Sequence, residues 1–167
     1  MRPGSIGWWA AKVRQARRHL GARVDPAERA GLATWLSPAE LAIFAGMHVS
    51  DQRHGLDVVA SLRAEGAPDH DLLVAGLLHD AGKGDTGFVP RVVYSLSTAY
   101  GAWIAGSVAW LPGMAVTLRR LRDHAEVSAG MAAAAGCSPR TVELIRWQEE
   151  PHDPVAGERL RLADDAN

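Results

Sequence analysis

An all-α fold is what this sequence predicts, and three observations predict it. Ala, Leu, Arg and Glu are abundant. No alternating apolar–polar run is bounded by a hairpin signal. Helix starts recur in a recognisable form: Asp25-Pro26-Ala27-Glu28 and Ser37-Pro38-Ala39-Glu40 each place a capping side chain before a proline at the first helical position, with glutamate at the third. The 167 residues, 47% of them apolar, fit one domain with or without a short appendage.

Taken in order, helices are expected at 6–20, 26–33, 38–46, 48–65, 69–81, 89–105, 114–136 with a break, 138–149 and 154–166. Ser138-Pro139 and Asp153-Pro154 mark the last two starts. Gly66-Ala67-Pro68, Gly82-Lys83-Gly84, Leu111-Pro112-Gly113 and Gly136-Cys137-Ser138 mark turns between them.

Net charge is −1, which excludes a general electrostatic grip on nucleic acid. A single cysteine, Cys137, excludes a disulfide framework and a Cys-based zinc site, and fits a cytoplasmic setting. No secretory signal is visible. Two stretches stand out. Residues 1–24 carry Arg2, Lys12, Arg14, Arg17, Arg18 and Arg23, no acid, and Trp8-Trp9. They read as a basic helix packed by its apolar stripe, with peripheral attachment to an anionic membrane as the alternative. Residues 92–118 contain no charged residue. Their serines and the Pro112-Gly113 break favour a buried helix pair or a hydrophobic lid over a membrane-touching segment, for which Trp103 and Trp110 suit an interface.

The chemistry gathers elsewhere. Residues 72–78 are nearly all apolar and run straight into His79-Asp80. Two ionisable groups at the end of a buried helix are costly unless compensated, and an Asp at a helix C-terminus opposes the macrodipole. A divalent cation compensates both, since imidazole and carboxylate are good ligands for Mn, Fe, Zn, Ni or Co. A hydrogen-bonded structural His beside a helix-terminal Asp is the plain alternative. Gly82 and Gly84 let the backbone turn sharply, and Lys83 between them can meet a phosphate.

Three segments together resemble a known family. Asp51-Gln52-Arg53-His54-Gly55-Leu56-Asp57-Val58, then Leu77-Leu78-His79-Asp80-Ala81-Gly82-Lys83-Gly84, then Leu162-Ala163-Asp164-Asp165-Ala166-Asn167 look like the HD-domain metal-dependent phosphohydrolase superfamily. The resemblance implies an HD-like helical bundle over 37–167 with a basic helical extension over 1–36. It implies one divalent ion (Mn, Mg, Fe, Ni, Co or Zn) held by His54, His79, Asp80 and Asp164. The step from His54 to His79 gives two antiparallel helices joined at Gly66-Ala67-Pro68. The substrate implied is a small phosphate ester, nucleotide-like or otherwise, with no nucleic-acid partner. Asp80 is then both ligand and water-orienting base, Lys83 a catalytic cation, and Arg53 and His124 substrate contacts.

His124 also falls where two-metal relatives carry an extra histidine, so a second metal near His124 and His152 is the variant reading. Trp147-Gln148 stands where the next such ligand belongs, which is a departure from that pattern. The alternatives are a regulatory HD-type ligand-binding module and a di-iron HD oxygenase. The absence of a Gly-Tyr-Pro motif after the doublet argues against cyclic di-GMP as substrate. The sequence leaves the oligomeric state open.

Overall fold

A computed structural model describes residues 21–167. Among them the chain is all-helical, with no strand. The helices are α1 (Pro26–Leu32), α2 (Pro38–Gly46), α3 (Val49–Ala64), α4 (His70–Leu78), α5 (Phe88–Tyr100), α6 (Trp103–Val108), α7 (Met114–Arg122), α8 (His124–Ala134), α9 (Pro139–Arg146) and α10 (Ala156–Ala166). A single 3-10 turn, Ala81–Lys83, follows α4. The helix expected at 6–20 lies outside the described residues.

The start signals at Asp25, Ser37 and Ser138 act as read, whereas the last helix begins at Ala156, two residues after the expected Pro154. Asp25 and Ser37 each close a capping box: the Asp25 carboxylate accepts from Ala27 N–H at 2.7 Å, and Glu40 reaches back to Ser37 N–H at 2.7 Å. Ser138 caps α9 through Thr141 N–H at 3.0 Å. Each such cap contributes about 1 kcal/mol. Asp153 accepts from Val155 and Ala156 N–H and so fixes the turn into α10.

The described residues fall into two compact units. The larger, Arg23–Gly84 with Asp123–Asn167, contains α1–α4, the 3-10 turn and α8–α10. Its centre is α4, where Leu72, Val74, Ala75, Gly76, Leu77 and Leu78 are all buried. A helix buried on nearly every side needs neighbours all round, and α3, α9 and α10 pack against it. From α3 come Val58, Val59 and Leu62, from α9 Ile145, and from α10 Leu160. Gly55 brings α3 close to α4, because a Cβ there would stand 2.5 Å from the Leu77 carbonyl oxygen.

The other unit contains Asp85–Arg122 and therefore α5–α7. The expected helix at 89–105 is interrupted: Gly101, at φ +118°, ends α5, and α6 follows. The charge-free stretch is not a buried helix pair, because α5 and α6 bury no residue, while α7 buries Met114, Leu118 and Leu121 at helical spacing. No helix among the described residues is long and apolar enough to cross a membrane.

Candidate metal centre

Three helices and one turn of the larger unit bring the site together. His54 comes from the middle of α3, His79 caps the C-terminus of α4, Asp80 opens the 3-10 turn, and Asp164 lies on α10 next to the buried Ala163. His54 Nε2 lies 2.7 Å from Asp164 Oδ1 and 3.9 Å from Asp80 Oδ2. His79 Nε2 lies 3.5 Å from Asp164 Oδ1 and 3.6 Å from Asp80 Oδ1. The two imidazoles meet edge to face with centroids 5.2 Å apart. His79 and Asp80 are buried, whereas His54 and Asp164 are half-exposed, so the corner opens to solvent on the α3–α10 side.

One ligand atom from each of His54, His79 and Asp164 falls within 4.8 Å of the other two, so this group could hold a metal ion. No second group of three such residues occurs among the described residues. The donor chemistry fits a cation. His79 Nδ1–H donates to the Gly76 carbonyl at 3.0 Å, which fixes the ring and turns Nε2 inward. That Nε2 is buried and makes no hydrogen bond, and a buried nitrogen left in this way calls for a partner. The local charges point the same way. Burial depresses the His79 imidazole, but Asp80 and Asp164 outweigh it and raise it to about 9. Burial pushes the Asp80 carboxyl up, yet Lys83, His79, His124 and His54 together hold it well below the usual carboxylate range. Asp164 is likewise pushed up by burial and held far down by His54 and His79. The corner stabilises positive charge between two carboxylates.

Asp80 borders this group and also holds Lys83, whose Nζ donates to Oδ2 at 2.5 Å. His124 is buried at the start of α8 with Nε2 3.4 Å from Asp80 Oδ1. Its approach depends on Gly82, where a Cβ would collide with the His124 carbonyl and with Ser128 N, and whose N–H donates to Ser128 Oγ at 2.8 Å. Gly84, at φ +59°, is the glycine that turns the chain; Gly82 serves close packing. Arg53 is not brought to the corner. Its guanidinium pairs with Glu28 at 2.8 Å and Asp57 at 2.9 Å, as a position one residue from His54 on a helix directs it elsewhere. His152 stacks on Trp147 with centroids 4.0 Å apart.

Sequence reasoning missed the positive role of Gln148. It is buried, with its amide nitrogen 3.1 Å from His124 Nε2 and 3.5 Å from the His79 carbonyl oxygen. Its position three residues after Ile145, one helical turn on from a core residue, was the available signal. Comparison of the chain with protein-family models, curated proteins and solved structures finds no match.

Proposed function

We propose that this protein is a metal-dependent phosphohydrolase of HD type, acting on a small phosphate ester. The observation that carries the reading is the convergence of His54, His79, Asp80 and Asp164 around a buried, unbonded imidazole nitrogen. An HD-like bundle for the larger unit is part of the same proposal. Its support is the sequence resemblance together with a histidine-capped central helix and an aspartate arriving from the last helix.

His54, His79 and Asp164 would hold a divalent ion, with Asp80 as the fourth ligand. Such an ion supplies Lewis-acid polarisation of a phosphoryl oxygen and lowers the pKa of a coordinated water toward ~7. The protein's own groups do the rest. Asp80 stays ionised, so it orients a water by accepting hydrogen bonds. Lys83 provides a fixed positive charge beside Asp80, which suits charge developing on a transferred phosphoryl group. His124 offers imidazole hydrogen bonding at the same carboxylate, with Gln148 lying against the ring. With Gln148 against His124 and His152 stacked on Trp147, a single ion is the better-supported stoichiometry. This weighs against the di-iron oxygenase.

Elemental analysis of the purified protein, beside turnover of a phosphate-ester panel, tests the proposal. Expected are one divalent ion per chain and hydrolysis that disappears in His79→Ala and Asp80→Ala. Lys83→Met is expected to keep the metal while lowering kcat about 10–100-fold. Metal uptake with no turnover on any ester would instead assign a ligand-binding module. Failure to take up metal removes both readings.

A further inference from the structure

The unit containing α5–α7 presents apolar side chains outward. Trp103 and Trp110 are 70% and 78% exposed, and Val89 and Val116 are 61% and 69% exposed. Isolated exposed hydrophobics need no explanation, but two tryptophans this exposed, seven residues apart on a charge-free stretch, are the kind of concentration found at interaction surfaces.

We propose that this unit docks on the surface of an anionic lipid bilayer, with Trp103 and Trp110 as its anchors. Two independent observations choose lipid as the occupant. The first is internal hydrogen bonding. Both indole N–H groups donate to backbone carbonyls of their own segment, Trp103 to Tyr100 at 3.2 Å and Trp110 to Ser107 at 3.0 Å. The hydroxyls of Thr98, Ser107 and Thr117 likewise donate to the carbonyls of Tyr94, Ile104 and Gly113. Polar groups satisfied in this way enter a hydrocarbon boundary without being orphaned, which is the main cost of placing them there.

The second observation is charge. Residues 85–122 carry one acid, Asp85, and four cations, Arg91, Arg119, Arg120 and Arg122, all outside the 92–118 stretch. By contrast, residues 23–84 and 123–167 together hold nine cations against eighteen acids. Complementarity to an anionic surface therefore belongs to this unit and not to the one that contains the candidate metal centre. In the sequence, residues 1–22 add five cations, no acid and Trp8-Trp9. With no helix among the described residues able to cross the membrane, the contact is interfacial, its apolar side chains at the headgroup–acyl boundary and its arginines among the headgroups.

The test is co-sedimentation of the full chain with phosphatidylcholine vesicles, with and without phosphatidylglycerol, at low and high ionic strength. Binding is expected only with phosphatidylglycerol, weakened by salt. The double variant Trp103→Ser/Trp110→Ser is expected to bind roughly tenfold more weakly or worse. Its far-ultraviolet circular dichroism should match the wild type, since both rings are exposed. Three results overturn the proposal: no sedimentation with anionic vesicles, sedimentation that the double variant leaves unchanged, or a wild-type dimer that the variant dissolves without any vesicle binding. None of them touches the metal reading, which rests on residues of the other unit.

Discussion

The two units put their distinctive residues in opposite places. Around α4 the apolar side chains are inside, and ionisable groups are drawn in among them at one corner. In α5 and α6 no residue is buried, and aromatic side chains face outward from a stretch without charge. A buried cluster of opposite charges is maintained only by close geometry, so it should respond sharply to small changes. An exposed apolar surface answers to what it touches, so its variants should scarcely move folding.

His79→Ala should give the largest effect. It removes a proposed ligand and leaves Asp80 and Asp164 facing each other without the imidazole, so metal uptake should vanish and any hydrolysis fall by about a thousandfold or more. Elemental analysis and kinetics check it.

Gly82→Ala should follow. The added methyl meets the His124 carbonyl and Ser128 N, and overpacking of this kind costs about 1–3 kcal/mol. A urea titration should show the midpoint shift, and metal affinity should weaken with it as His124 and Asp80 are forced apart. The same substitution at Gly106, where nothing lies within 4 Å, should leave stability within about 0.5 kcal/mol of the wild type or raise it slightly, since alanine is the better helix former.

The pH dependence comes next. His79 is raised from 6.5 to about 9 in the metal-free protein. Its stabilising charge is therefore complete below pH ~6.5 and is lost as pH rises through about 9. Metal needs the neutral ring, so apparent affinity should climb roughly tenfold per pH unit across that window and level off above it. Asp80 and Asp164 are held low and stay ionised throughout, so they add no slope there. Titration calorimetry at a series of pH values separates this from a flat response, which would mean that His79 does not bind the ion.

The smallest effects belong to residues on solvent. Arg53→Ala should cost no more than about 1 kcal/mol and leave turnover unchanged, because its partners are surface carboxylates. Val116→Ser should not move the urea midpoint measurably.

Much of this was legible in the chain because local rules dominate there. The capping boxes at Asp25 and Ser37 needed only residues within one turn. His79-Asp80 was conspicuous because ionisable groups follow an unbroken apolar run. The break at Gly101 was missed because the apolar pattern continues on both sides, and only the backbone at φ +118° separates α5 from α6. Gly55 and Gly82 were unreadable for a different reason. Each is small because of a backbone from another helix, and that closeness is a property of packing. Burial of residues 92–118 was inferred from hydropathy, yet hydropathy does not say whether the neighbour is protein or something else.

His54 and Asp164 meet at 2.7 Å across 110 residues of chain. Closing so long a loop is slow compared with forming any single helix. The corner is thus complete only after α10 has seated against α3, where Asn167 Nδ2 donates to Ser61 Oγ at 2.9 Å. Chains that stop short of Asp164, whatever helices they already contain, lack one of the candidate ligands, so on the proposed reading cation capture would report that α10 has docked.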